Sequence, residues 1–479
     1  MGAVRVLVIG DVILDRDAHG AVHRVAPDAP VPVVELERTD ERPGGAGLAA
    51  RLLARTIGTG TAHPTSVEVT LAYGRADDAD GRRLAELLTA DGVRQVALTS
   101  TPATRSVTRV RSGGQSLLRL DRPAAPLPAD APLDEAVLER ELERADAVLV
   151  ADYGAGATAH PGVRRALARW ASRRPVVWDP HPRGADPVPG VSVATPNRAE
   201  ALAAAALPAG AALDEAAVHL RERWQVRAVA ATDGATGVIT ALAASPPLFT
   251  PTPYATTGDT CGAGDRFAGT VAVSLARGAV ITEAVAAAVE DVAAWLDAGG
   301  VAGPVDLDRA AAPTGAEGVA PAGDPLAGVR ARGGTVVATG GCFDVLHAGH
   351  VACLEAARRL GDHLVVLLNS DDSVRRLKGP HRPVNPAADR ARVLAGLACV
   401  DEVRMFEDDT PAAALADLRP DVWAKGADYS GDTLPEAALV RSWGGRVVLL
   451  PYLPGRSSTR ILTHTSQTTH DHTSRQESA

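Results

Sequence analysis

Residue types suited to chemistry gather at two places in this chain, near positions 260 and 345. In TGDTCGAGDRFAGTVAVSLARG, residues 257–278, the small residues Gly262, Ala263 and Gly264 form a turn that runs straight into a long amphipathic helix. Such a turn exposes backbone N–H groups at a helix N-terminus, where the dipole also favours an anion. Asp265 follows at once. A carboxylate beside an anion hole repels phosphate, so it makes sense as a general base. It would take the proton of a sugar hydroxyl while the N–H groups stabilise charge on a transferring phosphoryl. The bland alternative is an Asp that caps the helix after a glycine turn.

The second place reads GGCFDVLHAGHV, residues 340–351. His347 and His350 stand three apart, close to Cys342 and Cys353. A zinc site needs three or four ligands with supporting partners, and the zincin spacing of i and i+4 with an intervening Glu is absent. A nucleotide site fits better. The strand TVVATGG ends in Gly340 and Gly341, which allow close backbone approach, and the histidines then fall at a loop and a first helical turn. Imidazoles placed at the C-terminal end of a strand can donate hydrogen bonds to phosphates and to a pentacoordinate transition state. Two hydrogen-bonded histidines at a helix start, with no ligand, remain the plain alternative.

Shorter strings support the first place. ERPGGAGLAARLLA sets Gly44 and Gly45 before a helix, where a polyhydroxy ligand can approach the backbone. GDVILDR puts Asp11 and Asp15 at a strand end, suited to sugar hydroxyls. TPNRAEA spaces Asn197 and Glu200 three apart at a strand-to-helix turn, suited to ordering magnesium-bound water, and ATDGATG makes a turn at Asp233 and Gly234. Composition adds a contrast. Of 49 basic residues, two are lysine, Lys378 and Lys425. In a chain that otherwise uses Arg, these lysines are candidates for sites needing a compact ammonium, unless they survive by chance.

The elements that must position these residues alternate. Short β-rich runs (Val4–Ile9, Ala147–Ala151, Val176–Asp179, Ala228–Thr232) interleave with helical stretches (Gly162–Ser172, Glu215–Arg223, Ala263–Arg277) up to residue 312. That pattern predicts an α/β sheet sandwiched by helices. Residues 313–332 are rich in Pro, Gly and Ala and read as a linker with room for a short closing helix. A fresh, smaller α/β unit spans 333–462, and residues 463–479 form a polar tail expected to be disordered. The net charge of −9 argues against nucleic-acid binding. No apolar run is long enough to span a bilayer, no signal segment is visible, and the four cysteines form no CxxC pair. A cytoplasmic protein with no structural metal is expected.

Together, GGAG, the Asn-x-x-Glu and the closing DTCGAGD resemble the ribokinase-like carbohydrate kinases over residues 1–312. The resemblance implies a three-layer sandwich, Asp265 as catalytic base, 262–264 as anion hole, Asn197, Glu200, Asp233 and Gly234 near magnesium–ATP, and Asp11, Asp15, Gly44 and Gly45 near the sugar. Four residues depart from the family pattern: Leu48 for Asn, Ala155 and His181 for Lys, and Arg266 for Thr. GCFDVLHAGH and GRSSTRIL resemble the cytidylyltransferase-like nucleotidyltransferases over residues 335–462. This implies a Rossmann-like HxGH domain in which His347, His350 and Lys378 act on the triphosphate. Gly341, Phe343, Asp344, Arg390, Lys425, Ser457, Ser458 and Thr459 would bind the nucleotide.

The pair of domains resembles the bifunctional heptose 7-phosphate kinase/heptose 1-phosphate adenylyltransferases. That family implies phosphorylation of D-glycero-D-manno-heptose 7-phosphate at the anomeric hydroxyl, then adenylyl transfer to heptose 1-phosphate. It further implies Mg2+ with ATP in both domains, a monovalent cation in the kinase domain and a homodimer. Three rivals differ in class: a sugar kinase fused to a cytidylyltransferase for another sugar or polyol phosphate, a degraded kinase serving as a dimerisation module, and a non-enzymatic nucleotide sensor.

Overall fold

The structure, a computed structural model, describes residues 3–55, 66–113, 115–253, 260–302, 325–426 and 434–451. The chain divides into two compact units, one built from Met1–Ala243 and Thr252–Leu307, the other from Ala244–Pro251 and Asp308–Ala479. Part of the expected linker, residues 313–324, and the whole tail lie outside the described residues, as do Ser457, Ser458 and Thr459. Residues Pro325–Ala331 form a short helix at the end of the expected linker.

In the first unit, strands Val4–Gly10, Ala147–Ala151, Val176–Asp179 and Ala228–Thr232 appear where the apolar runs predict them. Their residues are buried almost without interruption, as expected for parallel strands covered on both faces. The order across the sheet is Gly237–Leu242, Ala228–Thr232, Val193–Ala194, Val176–Asp179, Ala147–Ala151, Val4–Gly10, Val67–Ala76, Arg94–Thr101. Only the first of these pairings is antiparallel. Val4–Gly10 sits between Val67–Ala76 and Ala147–Ala151, so the chain reverses its winding there and opens a crevice at the strands' C-terminal ends. Helix Ala263–Ala276 packs its face of Phe267, Ala268, Val271 and Ala272 into the core beneath that crevice. A second sheet, ordered Pro32–Gly45, Val12–Val25, Ser106–Ser112, Gln115–Arg122, belongs to the same unit.

Among the described residues the second unit holds six parallel strands in the order Glu402–Phe406, His363–Asn369, Val336–Gly341, Val422–Gly426, Arg446–Leu450, Leu248–Pro251. Its winding reverses between Val336–Gly341 and Val422–Gly426, so a crevice opens where the first strand ends in Gly341. Gly340 is required there by space: a Cβ would lie 2.7 Å from the indole of the fully buried Trp423.

Candidate active sites

Helix Ala263–Ala276 starts at Gly262, which adopts φ 80° and ψ 2°. That left-handed conformation suits glycine, and a Cβ would also press on Leu48 at 3.2 Å. The cap is therefore Gly262, and Asp265 makes no capping bond. With the capping alternative removed, the carboxylate is left for other work. It is buried, and both of its oxygens accept from the Tyr153 hydroxyl, at 2.8 and 2.9 Å. Burial lifts the Asp265 carboxyl to about 7, with the Tyr153 hydrogen bond opposing and the charge of Asp15 adding. A carboxyl poised near neutrality is what a general base at neutral pH needs.

The neighbours are also acidic. Asp179 ends its strand half-buried, and its carboxyl is pushed well above the usual range by desolvation and then by Asp265. Its Oδ1 accepts from Thr195 at 2.8 Å. Asp152 accepts from Thr158 and from the backbone of Gly154 and Ala185. Neither Tyr153 nor Asp179 stands out by spacing in the sequence. Their signal is position: Tyr153 lies just past the C-terminal end of the strand next to the winding reversal, and Asp179 ends the strand after it in the sheet.

The expected sugar residues come together in part. Asp11 is buried, and its two oxygens accept from the backbone N–H groups of Ala155 and Ala157. It shapes the loop that carries Tyr153. Ala155 thus contributes its backbone amide to this contact. Asp15 pairs with Arg109 at 3.3 Å and lies against Gly44, where a Cβ would sit 2.5 Å from its carboxylate. Gly45 precedes helix Ala46–Ala54 with φ 62°. Leu48 is buried in that helix.

Asn197 and Glu200 form a reciprocal capping box on helix Arg198–Ala204, with bonds of 3.0 and 2.9 Å. The box uses one Glu200 oxygen, and burial raises this carboxyl as well. Asp233 is held by both arms of Arg198, at 2.6 and 2.8 Å, and Gly234 follows in the turn. Arg266 faces away from Asp265: its guanidinium bonds Asp291 at 2.8 Å and lies over Trp295. His181 stacks on Tyr153 with ring centroids 6.3 Å apart, and burial lowers its pKa.

In the second unit His347 is the N-cap of helix Ala348–Arg358 and His350 lies in its first turn. The two rings stack with centroids 3.9 Å apart, and Phe343 meets His350 at 5.3 Å from a backbone with φ 43°. Burial, the neighbouring His347 and Lys378 lower the pKa of His350 to about 4, so in the unliganded protein this ring is neutral at pH 7. Its Nδ1 is buried with no hydrogen-bond partner among the described residues, while a backbone hydrogen bond at Val345 engages the ring. Lys378, at the end of helix Asp371–Lys378, donates to Cys342 Sγ at 2.9 Å.

Two other expected nucleotide ligands, Asp344 and Arg390, are held by contacts within the chain. The Asp344 carboxylate is buried and accepts from Arg382, from Val384 N at 2.6 Å and from Asn385 N at 3.2 Å. Arg390, buried too, spends its three nitrogens on the Asn385 and Cys342 carbonyls and on Asp371. Both fix the loop after Lys378 against Gly341-Cys342-Phe343. Lys425 lies over the Trp423 ring at 5.3 Å.

Among the described residues no group of three or more His, Cys, Asp or Glu side chains could hold a metal ion by itself, and no helix is long and apolar enough to cross a membrane.

Comparison with known proteins matches residues 4–302 to the pfkB family of carbohydrate kinases and residues 338–463 to the cytidylyltransferase-like family. A "Bifunctional protein HldE" of Streptomyces coelicolor is 48% identical over 472 residues, covering 96% of each chain. Its counterpart in Caulobacter vibrioides is 36% identical, covering 95% of this chain and 96% of that one. Among solved structures, phosphofructokinase-2 from Escherichia coli aligns over 61% of this chain and 93% of its own, with 17% identity and a TM-score of 0.48.

Proposed function

Because the chain belongs to the HldE family of bifunctional proteins, with a carbohydrate kinase and a nucleotidyltransferase in one polypeptide, we propose that it performs two steps in making a nucleotide-activated heptose. In the first, ATP phosphorylates the anomeric hydroxyl of D-glycero-D-manno-heptose 7-phosphate. In the second, AMP passes from ATP to heptose 1-phosphate, giving ADP-heptose and pyrophosphate. A phosphatase must act between them to remove the 7-phosphate.

The observation that carries the first step is the Asp265 carboxyl, buried, held near pH 7 and set in the first turn of a helix that opens on Gly262. In this reading Asp265 takes the hydroxyl proton, and the N–H groups of 262–264 receive the charge on the transferring phosphoryl. Tyr153 orients the base. Asp11 and Asp15 order the sugar, Asp11 by holding the 155–157 loop and Asp15 by contact. Crowded carboxylates at Asp179, Asp152 and Glu200 fit a hydrated Mg2+ carried in on ATP better than a protein-built cage. That ion would supply neutralisation of the phosphates.

The second step needs no base, since the sugar phosphate is already an anionic nucleophile. His347, His350 and Lys378 then act by donating hydrogen bonds and charge to the triphosphate. Ser457, Ser458 and Thr459 belong to the same reading. So does a homodimer, for which the second sheet of the first unit offers exposed Val22, Leu36, Leu118 and Leu120.

The test offers purified protein ATP with heptose 7-phosphate or heptose 1-phosphate and scores ADP and pyrophosphate release separately. ADP release with the first and pyrophosphate release with the second are expected. If CTP replaces ATP in the second assay with higher kcat/KM, the adenylyl assignment fails.

A further inference from the structure

A cleft of about 530 Å³ lies at the opposite edge of the first unit's sheet from Asp265. Its polar wall comes from residues that immediately precede parallel strands: Arg174 before Val176–Asp179, Ser192 before Val193–Ala194, and Arg227 before Ala228–Thr232. Arg173 adds a third guanidinium, stacked on Trp170 at 5.5 Å. No carboxylate lines the cleft among the described residues. In a chain of net charge −9, the three arginines that line the cleft give it a local positive field, with Glu139 in Coulombic reach of Arg173 and Asp146 of Arg174 outside the lining.

Two further details favour an anion. The Nε of Arg174 is buried and has no hydrogen-bond partner among the described residues. Helix Ile281–Asp297, 17 residues long, begins at the cleft with Val280 as its N-cap residue. Valine has no side-chain acceptor, so the first N–H groups lack the usual cap, and Glu283 reaches back to Val280 N only at 3.4 Å. The remaining wall is apolar, from Leu242, Leu275 and Ile281. We infer that this cleft is a binding site for a phosphate-bearing anion, distinct from both catalytic centres. Its apolar wall would accept an organic body attached to the phosphate.

The site has a physical route to catalysis. Helix Ala263–Ala276 carries Asp265 in its first turn and Leu275, which lines the cleft, in its last. Fourteen residues of helix span about 21 Å. An anion that draws Arg174 and the Ile281 turn together therefore acts on the far end of the helix that holds the base.

The inference goes beyond the heptose assignment, because binding is counted without turnover. Equilibrium dialysis of the full chain is run with radiolabelled pyrophosphate and, in a second arm, with labelled ADP-glucose. These separate an inorganic anion from a nucleotide-borne one. The wild-type chain is compared with Arg174→Gln and with the exposed pair Arg173→Gln/Arg227→Gln. One binding site per chain is expected to vanish, or to weaken at least tenfold, in both variants. Pyrophosphate release by the second unit and the circular dichroism spectrum should stay as in wild type. Equal site counts and affinities in wild type and variants, in both arms, overturn the inference. If Arg174→Gln fails to fold, the exposed pair decides alone.

Discussion

The two proposed catalytic centres approach phosphate chemistry with opposite buried charges. In the first unit the reacting region is a nest of carboxyls, Asp265, Asp179 and Asp152, whose pKa values all rise with burial. In the second it is a pair of stacked imidazoles with an ammonium nearby, and the pKa of His350 falls with burial. The same physical cause, desolvation of the charged form, moves acid and base in opposite directions. Each unit thereby keeps its key group close to neutral until substrate arrives. The difference lies in the nucleophile. An alcohol must lose a proton, so a carboxyl near 7 is useful. A sugar phosphate has none to lose at neutral pH that matters, so the site is built from donors.

The sharpest break of this contrast is Asp265→Asn. Kinase turnover, read as ADP release with heptose 7-phosphate, should fall by about 10²–10⁴-fold, the usual worth of a positioned base. Pyrophosphate release should not change. The same variant should be more stable at pH 8. The folded carboxyl titrates near 7 and the unfolded one near 3.8, so it favours folding only while protonated. That contribution is full below about pH 4 and lost as pH rises through 7. Removing the charge should raise stability at pH 8 by a few kcal/mol, up to about 4. Unchanged turnover would mean that the kinase domain was already inactive, the dimerisation-module rival.

The mirror experiment is His347→Ala or His350→Ala. Each should lower adenylyl transfer by about 10²–10³-fold, the loss seen when one preorganised donor is removed. ADP release from heptose 7-phosphate should hold. Intact pyrophosphate release would return the histidines to a structural role.

Titration separates the centres more finely. Kinase kcat/KM should drop about tenfold per unit as pH falls below 7, following protonation of Asp265. In Tyr153→Phe that limb should move to higher pH, because the hydroxyl hydrogen bond holds the carboxyl down. The transferase should show no inflection from His350 above pH 5, so the wild-type to His350→Gln ratio of kcat/KM stays constant between pH 6 and 8.

What the sequence disclosed follows from how local each feature is. Parallel strands bury continuous apolar runs, so Ala147–Ala151, Val176–Asp179 and Ala228–Thr232 could be read directly. Asp265, His347 and His350 announce themselves because small residues and a helix start surround them in the chain itself. Tyr153 and Asp179 did not, since their meeting with Asp265 depends on strand order, which joins positions 112 and 86 residues away. Asp344 and Arg390 show the converse limit. Their place next to a phosphate motif invites a ligand role in the sequence itself, whereas the loop amides, carbonyls and ion-pair partners Arg382 and Asp371 that hold them come near only through the fold.

Arg266 gives the smallest expected effect and the cleanest check on the kinase centre. It stands next to the proposed base Asp265 in the sequence. The helix turns it instead toward helix Ile281–Asp297, where it is mostly buried against Asp291 and Trp295 while Thr270 holds the other Asp291 oxygen at 2.9 Å. Arg266→Ala should therefore cost about 2 kcal/mol of stability, the worth of a charged hydrogen bond in such a setting. Folded protein should keep its KM for ATP and its turnover. A raised KM for ATP at unchanged stability would put the guanidinium back in the nucleotide site and would bring cationic chemistry into the acidic centre, erasing the contrast between the two units.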